Sequence, residues 1–183
     1  MSQTLCHIFN WWNFVGWGNL VHFDPEEYKI TDGEVLVVSI PKLAGQWKII
    51  HDFKPTDYPQ SPSYPPISLS LKTSSGDYFL GVLFPHPYIG LELLAVGEDS
   101  VSDCFKSNQL PKVGEWTRIE ISHEEEDGKH FISMSVGGKE SLREEVDDFE
   151  LSEIDGIRVL IGQDHDEPYQ PGFIRGLVVL EKQ

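Results

Sequence analysis

Apolar and polar residues alternate with a period of two along much of the chain. Ile67-Ser68-Leu69-Ser70-Leu71-Lys72-Thr73 shows it most clearly, and residues 115–122 repeat it. This period marks strands with one buried face. Runs rich in β-branched and aromatic residues, bounded by Gly and Pro, mark further strands at residues 34–40, 46–53, 78–84, 89–96, 129–136, 159–162 and 172–180. Ser74-Ser75-Gly76-Asp77, the stretch 124–128 and Gly137-Gly138 read as hairpin turns. The pattern predicts roughly ten to fourteen strands and little helix. The simplest solution is an all-β chain of two antiparallel sheets stacked face to face, forming one β-sandwich domain over residues 1–183. Residues 97–109 read as loop, and residues 143–155 have room for one short helix. The stretch 54–66 holds five prolines (Pro55, Pro59, Pro62, Pro65, Pro66) and reads as an extended loop.

The hydrophobic fraction of 39% supports a sizeable core, and 16 Gly with 12 Pro, spread along the chain, suit many turns. The formal net charge of −16 removes several function classes. A nucleic-acid ligand needs a basic footprint, and none is visible. An anionic membrane surface is disfavoured for the same reason, and no apolar run is long enough for membrane insertion. Cations, neutral sugars and basic partners stay compatible. Two cysteines, Cys6 and Cys104, make neither a disulfide framework nor a zinc site. The first twenty residues lack the basic start and apolar core of a secretory signal. The compartment stays open.

Chemistry concentrates between two strands. Gln163-Asp164-His165-Asp166-Glu167 follows the run 159–162 and precedes the run 172–180. Carboxylates at alternate positions suit a hard cation such as calcium, which takes six to eight oxygens. A solvated acidic loop is the competing reading, and the acidic run 124–127 is a weaker candidate of the same kind. Trp11, Trp12 and Trp17 form an aromatic cluster that either stacks on sugar rings or plugs the gap between sheets. Tyr58 and Tyr64 in the proline loop, with Tyr88 in Pro85-His86-Pro87-Tyr88, either line a binding surface or cover a sheet edge. The histidines show no zinc spacing and no Gly-x-Ser-x-Gly elbow occurs. Glu120 with Glu124, and Glu153 with Asp155, are loose matches to the paired carboxylates a glycosidase needs.

Three stretches carry a family resemblance. Gly114-Glu115-Trp116-Thr117-Arg118-Ile119-Glu120-Ile121, the hairpin from Asp127 to Lys139, and the runs 159–163 and 172–179 resemble the concanavalin-A-like jelly rolls of the laminin-G-like and pentraxin type. The resemblance covers about the last third of the chain. It implies a jelly-roll β-sandwich and a mostly extracellular setting. It also implies calcium held by the carboxylates of Asp164 and Asp166, the backbone carbonyl of His165 and the side chain of Gln170. The paired calcium ligands of the N-terminal half have no counterpart here, and the cysteines do not match. Galectins are another jelly-roll relative, but their sugar-binding residues are missing.

The expected function is a non-enzymatic binding module for a glycan or glycoprotein, with calcium as cofactor. A protein-interaction or self-assembling domain, including a homo-oligomer, is the alternative, and a glycoside-active enzyme the third reading.

Overall fold

A computed structural model describes residues 17–23, 27–30, 35–40, 43–57, 67–73, 76–83, 89–96, 102–107, 109–146, 153–154, 156–162 and 171–183. Fifteen strands and no helix occur among these residues. They are β1 (Trp17–Phe23), β2 (Tyr28–Lys29), β3 (Val35–Ile40), β4 (Leu43–Ala44), β5 (Trp47–Pro55), β6 (Ile67–Thr73), β7 (Gly76–Leu83), β8 (Ile89–Val96), β9 (Ser102–Ser107), β10 (Thr117–Glu126), β11 (Lys129–Val136), β12 (Lys139–Glu145), β13 (Glu153–Ile154), β14 (Gly156–Gly162) and β15 (Gly172–Lys182).

Two main antiparallel sheets form. The first runs β1-β15-β5-β10-β11-β12, with β2 also on β15. The second runs β3-β14-β6-β7-β8-β9, and β4 pairs with β13 beside them. The fold is the expected jelly-roll β-sandwich. Strands far apart in sequence lie side by side: β5 sits between β15 and β10. Its central position follows from its pattern. Trp47, Ile49, His51 and Phe53 are fully buried, while Lys48, Ile50, Asp52 and Lys54 between them are only half-buried. Ile119 and Ile121 of β10, Ile132 and Met134 of β11, Leu142 of β12 and Ile174, Leu177 and Val179 of β15 complete the buried face. Each such side chain stabilises the fold by roughly 1.5–3 kcal/mol on burial.

Local turn chemistry agrees. Asp127 and Gly128 have φ of 52° and 76°, the double left-handed conformation that matches hairpin twist. The turn is shorter than the acidic run suggests, because β10 continues through Glu126. Two further expectations change. Residues 102–107 form β9, paired to β8, where loop was expected. Strands are set by backbone ladders, and this polar segment has little apolar period to betray one. The start of the proposed short helix at residues 143–155 is strand instead: β12 extends through Glu145 and β13 follows at Glu153–Ile154.

Candidate functional site

Six side chains gather on the outer face of the first sheet, in two adjacent rows across three strands. Asp52 of β5 faces Arg118 of β10 on one side and Arg175 of β15 on the other. Arg118 Nε donates to Asp52 Oδ1 at 3.1 Å and Arg175 Nε to Oδ2 at 3.4 Å. Two residues along β5, Lys54 lies opposite Phe173. Trp116, just before β10, completes that row. The Lys54 ammonium stands 4.7 Å from the Trp116 ring centroid and 4.6 Å from that of Phe173. The Arg175 guanidinium carbon lies 4.1 Å from the Trp116 centroid. These distances allow cation–π attraction. Lys54 also donates to Glu27 Oε1 at 2.9 Å.

A parity change in β15 builds the row. Phe173 and Arg175 face outward, whereas Leu177 and Val179 are fully buried. The register slips between Arg175 and Val178, and Gly176 there has φ of 61°. One extra residue in the strand is a β-bulge, here of the type whose first residue takes the left-handed conformation that glycine adopts freely. Without it, either Arg175 would leave the outer face or Leu177 would leave the core. Gly172 serves a different need. A Cβ there would stand 2.5 Å from Phe53 Cε2 and 2.6 Å from the Lys54 carbonyl oxygen.

Behind this face lie buried histidines. His51 is fully buried and neither ring nitrogen has a hydrogen-bond partner. Burial lowers its pKa from 6.5 to about 4, against the raising effect of Asp52. His123 Nδ1 lies 2.9 Å from the Gly45 carbonyl oxygen, and its Nε2 lies 3.2 Å from His130 Nδ1. A carbonyl only accepts, so Nδ1 of His123 carries the proton and Nε2 accepts from His130. Burial lowers the His123 pKa, and the Gly45 bond opposes that.

Of the ligand-binding and metal residues expected from sequence, Trp17 is the one among the described residues. It lies at the start of β1 on the outer face, half-exposed, with Lys48 Nζ 5.1 Å from its ring centroid. It therefore does not plug the gap between sheets. Lys48 and Lys54 are six positions apart on β5, so roughly 20 Å separate this ring from the Trp116 row. Trp11, Trp12, Tyr58, Tyr64, Tyr88, Asp164, His165, Asp166 and Gln170 lie outside the described residues, as does Cys6. β14 belongs to the second sheet and β15 to the first, so the acidic segment joins the two sheets. Among the described residues no group of three His, Cys, Asp or Glu side chains could hold a metal ion. Glu120 is paired with Lys48 at 2.8 Å, and Glu124 lies 3.4 Å from Ser122 Oγ and 4.0 Å from Arg143.

Trp116 is not among the site residues expected from sequence. A signal was present: Trp116 shares the parity of Arg118, Glu120 and Ser122, the polar side of an alternating strand. A large aromatic on that side is out of place for a core residue.

No protein family and no curated protein matches the sequence. Solved structures do match. The botulinum neurotoxin serotype D ligand binding domain in complex with N-acetylneuraminic acid superposes with a TM-score of 0.60 at 15% identity, covering 86% of this chain and 39% of that one. The chain thus spans about two-fifths of the length of the neurotoxin domains it matches. The CBM40 of the Ruminococcus gnavus IT-sialidase, bound to α2,3-sialyllactose, gives 0.61 at 11% identity, covering 91% and 94%. The heptameric SAP-like pentraxin of Limulus polyphemus gives 0.54 at 16% identity, covering 84% and 74%. Likeness at such low identity shows the fold alone, a jelly-roll β-sandwich like that of these domains.

Proposed function

We propose that the protein is a non-enzymatic carbohydrate-binding module and that the outer face around Trp116 is its glycan site. The observation that carries this reading is the two-row patch itself. Two half-exposed aromatic rings lie in one row, and forked donors and a carboxylate lie in the next. Sugar rings present an apolar C–H face and a rim of hydroxyls. An aromatic surface beside convergent polar groups complements both. The patch is tied to rigid strands, so little ordering entropy is lost on binding. That the CBM40, matched over 94% of its length, is described as bound to α2,3-sialyllactose supports the reading, because the same architecture accommodates a glycan there.

Calcium at Asp164, Asp166, the carbonyl of His165 and Gln170 is a separate proposal, and it rests on sequence alone. Glycan-array screening with and without calcium tests both. Binding to a defined glycan class that Trp116→Ala removes supports the module. Binding that needs calcium supports the metal site as well.

A further inference from the structure

The glycan reading leaves open which sugar the face selects, and the row beside Trp116 bears on that choice. We infer that Arg118 and Arg175 read a carboxylate carried on a pyranose ring, so that the module prefers acidic sugars to neutral ones. This inference rests on the glycan reading of the same face.

Each guanidinium spends its Nε on Asp52, at 3.1 and 3.4 Å. Its terminal amino groups have no other carboxylate partner among the described residues. The side chains of Arg118 and Arg175 are 63% and 40% exposed, so those donors face solvent. A guanidinium is a planar fork whose paired N–H groups match the two oxygens of a carboxylate. The Arg175 guanidinium carbon is further held by the cation–π contact with Trp116, 4.1 Å from the ring centroid. The two arginines enter from the strands on either side of β5 and already converge on one carboxylate. The same convergence can serve a second, incoming one.

Charge points the same way. On a chain of net charge −16, three cations (Lys54, Arg118 and Arg175) gather around Asp52 and Glu27. One aspartate cannot neutralise two guanidiniums. The overall field repels anions, so selection must come from short-range forked hydrogen bonds rather than from long-range steering. Successive rows are two residues apart, about 6.6 Å. A pyranose that displaces the Lys54 ammonium from Trp116 and Phe173 therefore brings a substituent carboxylate over the arginine row.

The test is calorimetric titration with α2,3-sialyllactose and with trigalacturonate, each against its own methyl ester. The ester keeps the sugar's shape and removes the charge. The free acid of at least one sugar should bind at least about tenfold more tightly than its ester. Which sugar does so identifies sialate or uronate as the source of the carboxylate. Arg118→Gln and Arg175→Gln should each abolish the preference of acid over ester, read as the ratio of the two affinities whatever their absolute values. Arg175→Lys should not restore the preference, because an ammonium lacks the fork. Equal binding of acid and ester by the wild type would overturn the inference and leave the glycan reading intact. An acid preference that survives both Gln variants would also overturn it. Failure to bind any of the four probes, or any other glycan, would remove both.

Discussion

The Arg175 guanidinium and the Trp116 indole come from chain segments on opposite sides of β5, yet the guanidinium carbon stands over the ring, 4.1 Å from its centroid. A core has no part in this contact. It lies on the outer face, and it depends on a bulge at Gly176 that keeps Arg175 outward while Leu177 turns in. The predictions start from this face and from the buried layer beneath it.

Trp116→Ala should lower affinity for the bound glycan by about tenfold or more, at least about 1.4 kcal/mol. Since Trp116 is only half-buried, the unfolding free energy should fall by no more than about 1–2 kcal/mol. Titration and urea unfolding on the same sample separate the two effects. A variant that binds normally would show that the ring is structural only.

Gly172→Ala should destabilise strongly for its size. The new methyl group would overlap the Phe53 ring and the Lys54 carbonyl, both fixed in the centre of the first sheet. Overpacking of this kind costs about 1–3 kcal/mol. Thermal unfolding reads it, and an unchanged melting temperature would mean that β15 and β5 are further apart than described.

Acid should weaken the fold through His51. Its folded pKa, about 4, is below the unfolded value of 6.5, so the unfolded chain takes up the proton first. The stability from keeping this ring neutral is complete above pH 6.5. It drains away as pH falls from there towards 4, and is level again below. Between pH 7.5 and pH 5 the loss from this group is about 2 kcal/mol. Burial of His123 acts in the same direction. Relief of the repulsion in so acidic a chain opposes both, so the comparison has to be with His51→Leu. Urea unfolding across this range should show a flatter pH dependence in the variant. Parallel curves would contradict the neutral buried imidazole.

Calcium, if held at residues 164–170, should raise the melting temperature, by an amount equivalent to about 2.7 kcal/mol at a hundredfold excess over the dissociation constant. Asp164→Ala combined with Asp166→Ala should abolish the rise. No heat and no rise with the wild type would leave the segment as solvated surface.

The architecture was legible because alternation reports burial directly. The run Trp47 to Phe53 puts every second residue in the core, and the hairpin at Asp127-Gly128 declares its turn chemistry. Sheet membership was not legible. Nothing local in the runs around Leu160 and Ile174 says that they belong to different sheets, because pairing is decided by partners far away in sequence. β9 was hidden because its residues are mostly polar. The outer-face patch was hidden for another reason. Asp52, Arg118 and Arg175 are unremarkable singly, and only the order β15-β5-β10 brings them into one row. Trp116 alone left a trace, as an aromatic residue on the polar side of its strand.

The central claim meets its most direct test in a glycan array probed in parallel with the wild type and with a Trp116→Ala, Phe173→Ala double variant, with circular dichroism confirming that both are β-folded. Signal on a defined set of glycans with the wild type, lost in the double variant, is the expected result. No glycan signal from the folded wild type, or the same signal from both proteins, would contradict a sugar-binding face at Trp116.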